Sequence, residues 1–397
     1  MRAARFHAAK DIRVEEIPAP EPGDCDDKVL VEVEWCGICG SDLGEYLSGP
    51  YTIPSPKTGP HPLTNCTLPV TIGHEFTGRI KHVPASLEHL QQTSGNNIPL
   101  RKGQAVVVDP RFFCTSCNAC ARSATNCCDK IGFLGLSGGG GGLAEVVAVQ
   151  PGQVYVLGSG STDLVRGRGR DENGGVVDLA AAALIEPLAV AWHGFRLFLS
   201  TQSGFDVAAT TALIIGAGPV GVAISFVLRA WGVTHVFVSE PSKARRETLQ
   251  NMKVVSEIFD PVADNLRERC RTATPDGLGV GVVFDCAGSQ AGFQAGCESL
   301  RFRGVYVNLA VPRTPVTIPL GPFMQKELTY KSSLAYDQGD FWETVDAFME
   351  GRFAGVERMI TGRIALADIV EKGFEELVRP NDHLKILASP KSIAHSI

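Results

Sequence analysis

The sequence lacks the features that would direct the chain to a membrane or to nucleic acid. It contains no apolar run approaching the roughly 18 residues that span a bilayer, and its first residues, MRAARFH, include no apolar signal-peptide core. Lys and Arg number 37 against 43 Asp and Glu, giving a net charge of −6, so no broad basic surface is available to neutralise phosphates. We therefore expect a cytoplasmic protein that binds a small molecule and neither nucleic acid nor membrane.

The sequence also lacks an export signal that would favour disulfides among its 12 cysteines. Because cytosolic thiols are kept reduced, metal ligation or catalysis is the better expectation for cysteines that cluster. Five of the cysteines fall between positions 114 and 128, which singles out that segment.

Two patterns divide the chain. Residues 1–150 carry short alternating apolar runs separated by Pro- and Gly-rich stretches, which is typical of an all-β or barrel-like domain. From Ala212 onward, fully apolar runs alternate with helical patterns, which predicts a parallel sheet with helices on both faces. The chain has 397 residues, and at roughly 150 residues per domain we expect two or three domains.

A glycine-rich motif, GAGPVG, begins at Gly216, directly after the apolar run 212–215 and before a helical pattern. These glycines permit a tight turn and close approach of the backbone to a pyrophosphate, so the motif predicts dinucleotide binding. Glu240 ends the next apolar run and would favour NAD by repelling the 2′-phosphate of NADP, although Lys243, Arg245 and Arg246 just beyond it could soften that preference. The expected cofactor contacts are Gly216, Gly218, Pro219, Val220, Gly221, Glu240 and Arg245.

The clustered cysteines have the spacing of a closed metal site. Four thiolates on one loop satisfy tetrahedral zinc with no open position, so the site would be structural. An iron–sulfur cluster and plain reduced thiols are the alternatives, and Cys127 remains a rival to its neighbour as fourth ligand. The predicted ligands are Cys114, Cys117, Cys120 and Cys128.

A third set of residues lies on separated loops. A thiolate, an imidazole and one or two carboxylates can hold Zn²⁺ and leave a position for substrate, as a catalytic site does. Each residue alone also has an ordinary structural explanation, such as a satisfied core histidine or a loop carboxylate. The set consists of Cys39, Ser41 and Asp42 in GICGSD, His74 and Glu75 in GHE, and Glu186 before Pro187.

In order and approximate spacing, these motifs resemble the zinc-dependent medium-chain alcohol dehydrogenases over nearly the whole chain. The stretches WCGICGSDL, GPHPLT, LPVTIGHEF, CCDKIGF and EPLAVAWH look like the (R,R)-2,3-butanediol dehydrogenase branch of that family. The resemblance implies an α/β protein with a GroES-like β-barrel catalytic domain over residues 1–190. It further implies a Rossmann doubly wound parallel sheet that binds NAD over 191–340, and a return of 341–397 to the catalytic domain.

The resemblance also implies roles for the third set. Cys39, His74 and Glu75 resemble the ligands of a catalytic zinc, and Glu186 resembles a carboxylate that exchanges with water as a further ligand. Ser41 matches the hydroxyl that takes the alcohol proton, and Asp42 would orient His74.

With the cysteine cluster, the resemblance implies NAD and two Zn²⁺ per chain. Family members are homodimers or homotetramers whose Rossmann sheets commonly meet edge to edge, as residues 304–311 would here.

The implied activity is oxidation of a secondary alcohol, (R,R)-2,3-butanediol to acetoin, with reduction of acetoin or diacetyl as the reverse. Sorbitol, xylitol or L-threonine are alternative substrates, and a nucleotide-binding redox sensor with vestigial catalytic ligands is the alternative outside enzymology. One position departs from the family. Gly44 stands where a histidine often follows Ser-Asp-Leu, so proton exit from Ser41 needs another route.

Overall fold

A computed structural model describes residues 1–24, 26–87, 99–158, 177–204, 206–312 and 314–391. Within these ranges the chain forms strands β1 (Arg2–Ala8), β2 (Asp11–Glu16), β3 (Val29–Gly37), β4 (Val70–Thr71), β5 (Glu75–His82), β6 (Ala105–Val108), β7 (Arg111–Phe112), β8 (Gly132–Phe133), β9 (Val146–Val149), β10 (Val154–Val156), β11 (Thr211–Ile215), β12 (His235–Ser239), β13 (Glu257–Phe259), β14 (Val280–Asp285), β15 (Leu300–Asn308), β16 (Thr329–Ser332), β17 (Ile360–Ala365) and β18 (Lys385–Ser389).

The helices of the same ranges are α1 (Gly40–Ser48), α2 (Leu179–Ala182), α3 (Ile185–Leu199), α4 (Pro219–Ala230), α5 (Lys243–Met252), α6 (Leu266–Ala273), α7 (Gln290–Ser299), α8 (Leu320–Lys326), α9 (Gln338–Met349) and α10 (Glu375–Val378). Within the described part of the chain, no helix is both long and apolar enough to cross a membrane.

The chain divides into two compact units. The first comprises Met1–Glu186, Phe341–Arg352 and Ile360–Ile397. The second comprises Pro187–Asp340 and Phe353–Met359.

The first unit is built from mostly antiparallel sheets. Its largest sheet has the strand order β10-β6-β5-β3-β18-β17, with β9 also paired to β3, and smaller sheets join β2-β1-β4 and β7-β8. Strand β18, from the end of the chain, pairs antiparallel with β3 from its beginning. The core is apolar, with residues such as Val31, Phe76 and Val106 fully buried. Late and early parts of the sequence therefore share one sheet.

The second unit contains the parallel sheet predicted from the apolar runs. Its six strands follow the order β13-β12-β11-β14-β15-β16, and all five pairings are parallel. Numbered within the unit, this is the 3-2-1-4-5-6 order of a dinucleotide-binding sheet. The prediction of a parallel sheet after Ala212 is confirmed.

The edge of this sheet differs from the one expected. Residues 304–308 belong to β15, which pairs with β14 on one side and β16 on the other, so the expected edge at 304–311 is wrong. The expected edge is covered because the segment Thr329–Ser332 forms a further strand, β16, beside β15. Its largely polar and exposed sequence, TYKS, carries no buried-strand pattern, yet it adds the outermost strand.

Candidate active site

Strand pairing brings the third set of residues together in the first unit. Strand β3 ends at Gly37, which pairs with Glu75 at the start of β5, so the loop after β3 lies beside the residue before β5. One ligand atom each from Cys39, His74 and Glu75 lies within 4.8 Å of the other two. His74 and Glu75 are buried, at 4% and 0% exposure.

Asp42 orders this group from the first turn of α1. The backbone N–H of Cys39, the residue before the helix, donates to Oδ2 of Asp42 over 2.9 Å. The other oxygen, Oδ1, lies 3.4 Å from Nδ1 of His74, and neither atom has a hydrogen-bond partner among the described residues. Asp42 therefore fixes the cysteine backbone and faces the Nδ1 side of the imidazole, a position from which a carboxylate can orient the ring.

The charges around His74 suit a cation. Burial opposes protonation, but the negative charges of Asp42 and Cys39 outweigh it and raise the pKa of His74 well above its usual range. The same negative field favours a divalent ion among these groups. A thiolate, an imidazole and a carboxylate form a donor set that zinc accepts, so the residues present fit the expected metal.

Ser41 and Glu186 differ in their relation to the group. Ser41 is exposed, and its Oγ lies 3.2 Å from Nε2 of His74, which places a hydroxyl at the edge of the candidate metal site. Glu186 is buried at the start of α3, but it is not part of the group whose ligand atoms lie within 4.8 Å of one another.

Lys385 is a residue of this site that the sequence interpretation missed. Its Nζ donates to Oε1 and Oε2 of Glu75, each over 2.7 Å, and to the backbone oxygen of Ile38 over 3.2 Å. Burial opposes its charge, but Glu75 and Cys39 together raise the pKa of Lys385 above its ordinary value. The signal for it is a lysine inside the apolar run LKILA, where a buried strand is expected.

The cysteine loop forms a second candidate metal group. The Sγ atoms of Cys114, Cys117, Cys120 and Cys128 all lie within 4.8 Å of one another. Backbone N–H groups of residues 114 and 130 each donate to Sγ of Cys128 over 3.3 Å, whereas Cys127 is exposed. Hydrogen bonds from Ser116 lower the pKa of Cys114 to about 6, while burial raises that of Cys120 to about 12. This geometry brings Cys128, and not Cys127, into the group.

The glycine motif of the second unit opens helix α4. Gly216 has a φ of +96°, and a Cβ on Gly221 would lie 2.0 Å from the backbone oxygen of Gly216, so both positions require glycine. A Cβ on Gly218 would meet nothing within 4 Å, which leaves its surroundings open to a ligand. Pro219 and Val220 form the first turn of α4, whose N-terminus favours an anion.

Glu240 is held beside this motif. Its buried carboxylate accepts the backbone N–H of Ala217 over 2.7 Å and that of Ser242 over 2.8 Å. Arg246 donates to the backbone oxygens of residues 240 and 241 and pairs with Asp260 over 2.7 Å. Arg245 lies half-buried in the first turns of α5.

Comparison with known proteins gives the family. Residues 25–159 match the alcohol dehydrogenase GroES-like domain and residues 219–350 match the zinc-binding dehydrogenase domain. The chain is 34% identical to the (R,R)-butanediol dehydrogenase of Bacillus subtilis (strain 168), over 98% of this chain and 100% of that protein. The chain belongs to the zinc-dependent alcohol dehydrogenase family.

Two further relatives support this membership. The dehydrogenase is 33% identical to the (R,R)-butanediol dehydrogenase of Saccharomyces cerevisiae, with 99% of each chain covered. The crystal structure of 2R,3R-butanediol dehydrogenase from Bacillus subtilis superposes with a TM-score of 0.82 at 33% identity, covering 98% of this chain and 99% of that one.

The comparisons confirm several predictions for this dehydrogenase. They confirm the resemblance, the fold class of a GroES-like domain with a Rossmann sheet, and an enzyme that acts on CH–OH groups. At a coarser level, they confirm zinc and a nicotinamide cofactor as the chemistry of the family.

Proposed function

We propose that the protein is an NAD- and zinc-dependent dehydrogenase that oxidises (R,R)-2,3-butanediol to acetoin, and reduces acetoin or diacetyl in reverse. The observation that carries this proposal is whole-length similarity to butanediol dehydrogenases combined with the buried group of Cys39, His74 and Glu75. A reaction at a secondary alcohol needs a metal site with room for substrate, and a group of three ligands, as found among the described residues, meets that need.

The proposed roles follow from chemistry and position. Cys39, His74 and Glu75 would hold the catalytic zinc, and Glu186, buried at the start of α3, would serve as a further ligand that exchanges with water. When bound, zinc lowers the pKa of an alcohol hydroxyl and the nicotinamide accepts a hydride. Ser41, exposed and beside His74, would take the proton that the alcohol loses.

NAD is the proposed cofactor because of Glu240. A buried carboxylate held by two backbone N–H groups keeps lone pairs for the ribose hydroxyls of NAD and repels the 2′-phosphate of NADP. Arg246, one of the cations that would oppose this preference, is paired with Asp260. Gly216, Gly218, Pro219, Val220 and Gly221 would bind the pyrophosphate, and Arg245, in the first turns of α5, would be a further cofactor contact.

A second zinc is proposed at the cysteine loop. The Cys114, Cys117, Cys120 and Cys128 thiolates would fill all four positions, so this zinc would stabilise the loop and take no part in the reaction. The protein would then contain two zinc ions per chain.

A homodimer or homotetramer is proposed, assembled along the edge strand β16. Large apolar side chains are exposed before, within and after this strand, and exposed apolar patches commonly mark interfaces. They include Val311, Leu320, Met324, Tyr330 and Leu334, at 90, 68, 79, 38 and 55% exposure. Light scattering coupled to gel filtration tests this assembly, and a monomer at micromolar concentration would contradict it.

The metal site is tested by Cys39→Ala and His74→Ala, with Cys66→Ala as a control cysteine outside both metal groups. Each ligand variant is expected to lose one zinc per chain and the dehydrogenase activity together, while the control keeps both. Activity that survives in protein lacking zinc at this site would overturn the proposed mechanism.

A further inference from the structure

Every hydrogen-bond donor of one buried lysine is committed at the candidate metal site. The Lys385 ammonium has three N–H donors, and three oxygens lie in reach of it: both carboxylate oxygens of Glu75 at 2.7 Å and the backbone oxygen of Ile38 at 3.2 Å. The side chains of Lys385 and Glu75 are 1% and 0% exposed. The ammonium of Lys385 is thus held in contact with the carboxylate of Glu75, which is proposed as a zinc ligand.

In this arrangement Glu75 can bind two cations at once, the Lys385 ammonium and a metal ion. A carboxylate offers about four lone-pair positions, of which Lys385 occupies two, so Glu75 can bind a metal without releasing the lysine. The two hydrogen bonds from an ammonium draw charge from the carboxylate and so weaken its bond to a metal. Lys385 therefore changes the strength of one ligand without itself entering the metal site.

The pairing also changes what happens when Glu75 leaves the metal. A buried carboxylate without a counter-charge is costly, and breaking a buried ion pair by removing one partner is strongly destabilising. With Lys385 in place, Glu75 remains paired whether it is bound to the metal or withdrawn from it. Without Lys385, the metal would be the main counter-charge facing Glu75, and withdrawal would be opposed.

We propose that Lys385 is a positioning residue that keeps Glu75 an exchangeable zinc ligand, so that the carboxylate can yield its place at the metal to the alcohol. The benefit to catalysis rests on the proposed function, whereas the effect of Lys385 on the bond between Glu75 and the metal does not. The hydrogen bonds from Lys385 to both carboxylate oxygens of Glu75 support it.

The test compares Lys385→Met with Lys391→Met in the zinc-loaded full chain. Lys391 is a matched control because it lies in the same unit and pairs with the carboxylates of the exposed Glu32 and the half-buried Glu34, away from the metal group. Transfer of zinc to a coloured chelator is followed over time, and His74→Ala identifies the phase that belongs to this site. Lys385→Met is expected to release that zinc about tenfold more slowly than the unsubstituted protein, the scale on which outer partners of metal ligands act. Lys391→Met should leave the rate unchanged.

Cobalt supplies a readout that a merely structural role would not move. In protein loaded with Co²⁺, stronger carboxylate ligation in Lys385→Met is expected to shift the visible d–d absorption, and kcat should fall more than KM changes. If the methionine variant fails to fold, Lys385→Gln keeps a neutral donor toward Glu75 and is expected to show a smaller shift in the same direction. Equal or faster zinc release with an unaltered cobalt spectrum, in either folded variant, would overturn the inference.

These outcomes separate the inference from the proposed function. Absence of butanediol oxidation in the unsubstituted, zinc-loaded protein would refute the proposed function while leaving the release rates and cobalt spectra to decide about Lys385. Normal oxidation with no effect of Lys385→Met on zinc release would preserve the function and refute the role of the lysine.

Discussion

Gly37 and Glu75 face each other so closely across β3 and β5 that a side chain at the first position would meet the Glu75 carboxylate. A Cβ atom on Gly37 would lie 2.1 Å from Oε2 of Glu75 and 3.3 Å from its Cβ. The carboxylate that is paired with Lys385 therefore occupies the space that a side chain at 37 would need. A strand residue with no chemistry of its own thus determines where a candidate metal ligand lies.

Gly37→Ala is expected to displace the Glu75 carboxylate, lower the zinc content at the catalytic site and reduce kcat/KM by at least about tenfold, the effect typical of disturbed outer partners of a metal ligand. Gly152→Ala is the control, because a Cβ there would meet nothing within 4 Å. Metal analysis and steady-state rates on both variants check this. Full zinc content and activity in Gly37→Ala would show that the carboxylate position does not matter.

Gly44→His is expected to raise activity near neutral pH by supplying a histidine for proton exit from Ser41. The position can accept the side chain, because a Cβ on Gly44 would meet nothing within 4 Å in helix α1. Gly44→Ala controls for the backbone, since replacing a helical glycine adds about 0.5–1 kcal/mol of stability without adding a titratable group. Rates measured from pH 6 to 9 should rise for the histidine variant alone, and equal profiles for all three proteins would count against the idea.

Cys128→Ala and Cys127→Ala form a pair that tests the second metal group. The first is expected to lose one of two zinc ions per chain and to unfold at a lower temperature, because structural zinc contributes directly to folding. The second should keep both ions, since its thiol is exposed and lies outside the group. Metal analysis with thermal melts distinguishes them. The reverse pattern would make Cys127 the ligand.

Glu240→Ala is expected to lower the ratio of kcat/KM for NAD over NADP by about tenfold, corresponding to ~1.4 kcal/mol of lost discrimination. The ratio is the quantity to measure, because the carboxylate also accepts the backbone N–H of Ala217 and its loss will weaken binding of both cofactors. Glu247→Ala removes an exposed carboxylate from helix α5 and should leave the ratio unchanged. An unaltered ratio in Glu240→Ala would remove this residue from cofactor choice.

Much of the fold can be predicted from the sequence, because apolar runs and glycine-rich motifs are local signals. Continuous apolar runs predict the strands of the parallel sheet, and GAGPVG between a strand and a helix predicts the turn that Gly216 and Gly221 make. The short motifs GICGSD and GHE also indicate the candidate ligands Cys39, His74 and Glu75. The pairing of β3 with β5 then brings these residues together.

Contacts between residues far apart in the sequence could not be predicted from local patterns. Lys385 reaches Glu75 over 310 residues of sequence, and only the pairing of β18 with β3 makes that contact possible. The polar strand β16 carries no apolar pattern because it lies at an exposed edge, so its place in the sheet could not be read from composition. The choice between Cys127 and Cys128 depends on the direction in which adjacent side chains point, which spacing alone does not determine.

The proposed substrate is tested by the rate of NADH formation in zinc-replete protein with six alcohols, compared as kcat/KM. They are (R,R)-, meso- and (S,S)-2,3-butanediol, sorbitol, xylitol and L-threonine. We expect the highest kcat/KM for (R,R)-butanediol, a lower value for the meso isomer and the lowest value among the butanediols for the (S,S) isomer. A higher value for sorbitol, xylitol or threonine would contradict the proposed substrate, and no NADH from any of the six would contradict the proposal of an active dehydrogenase.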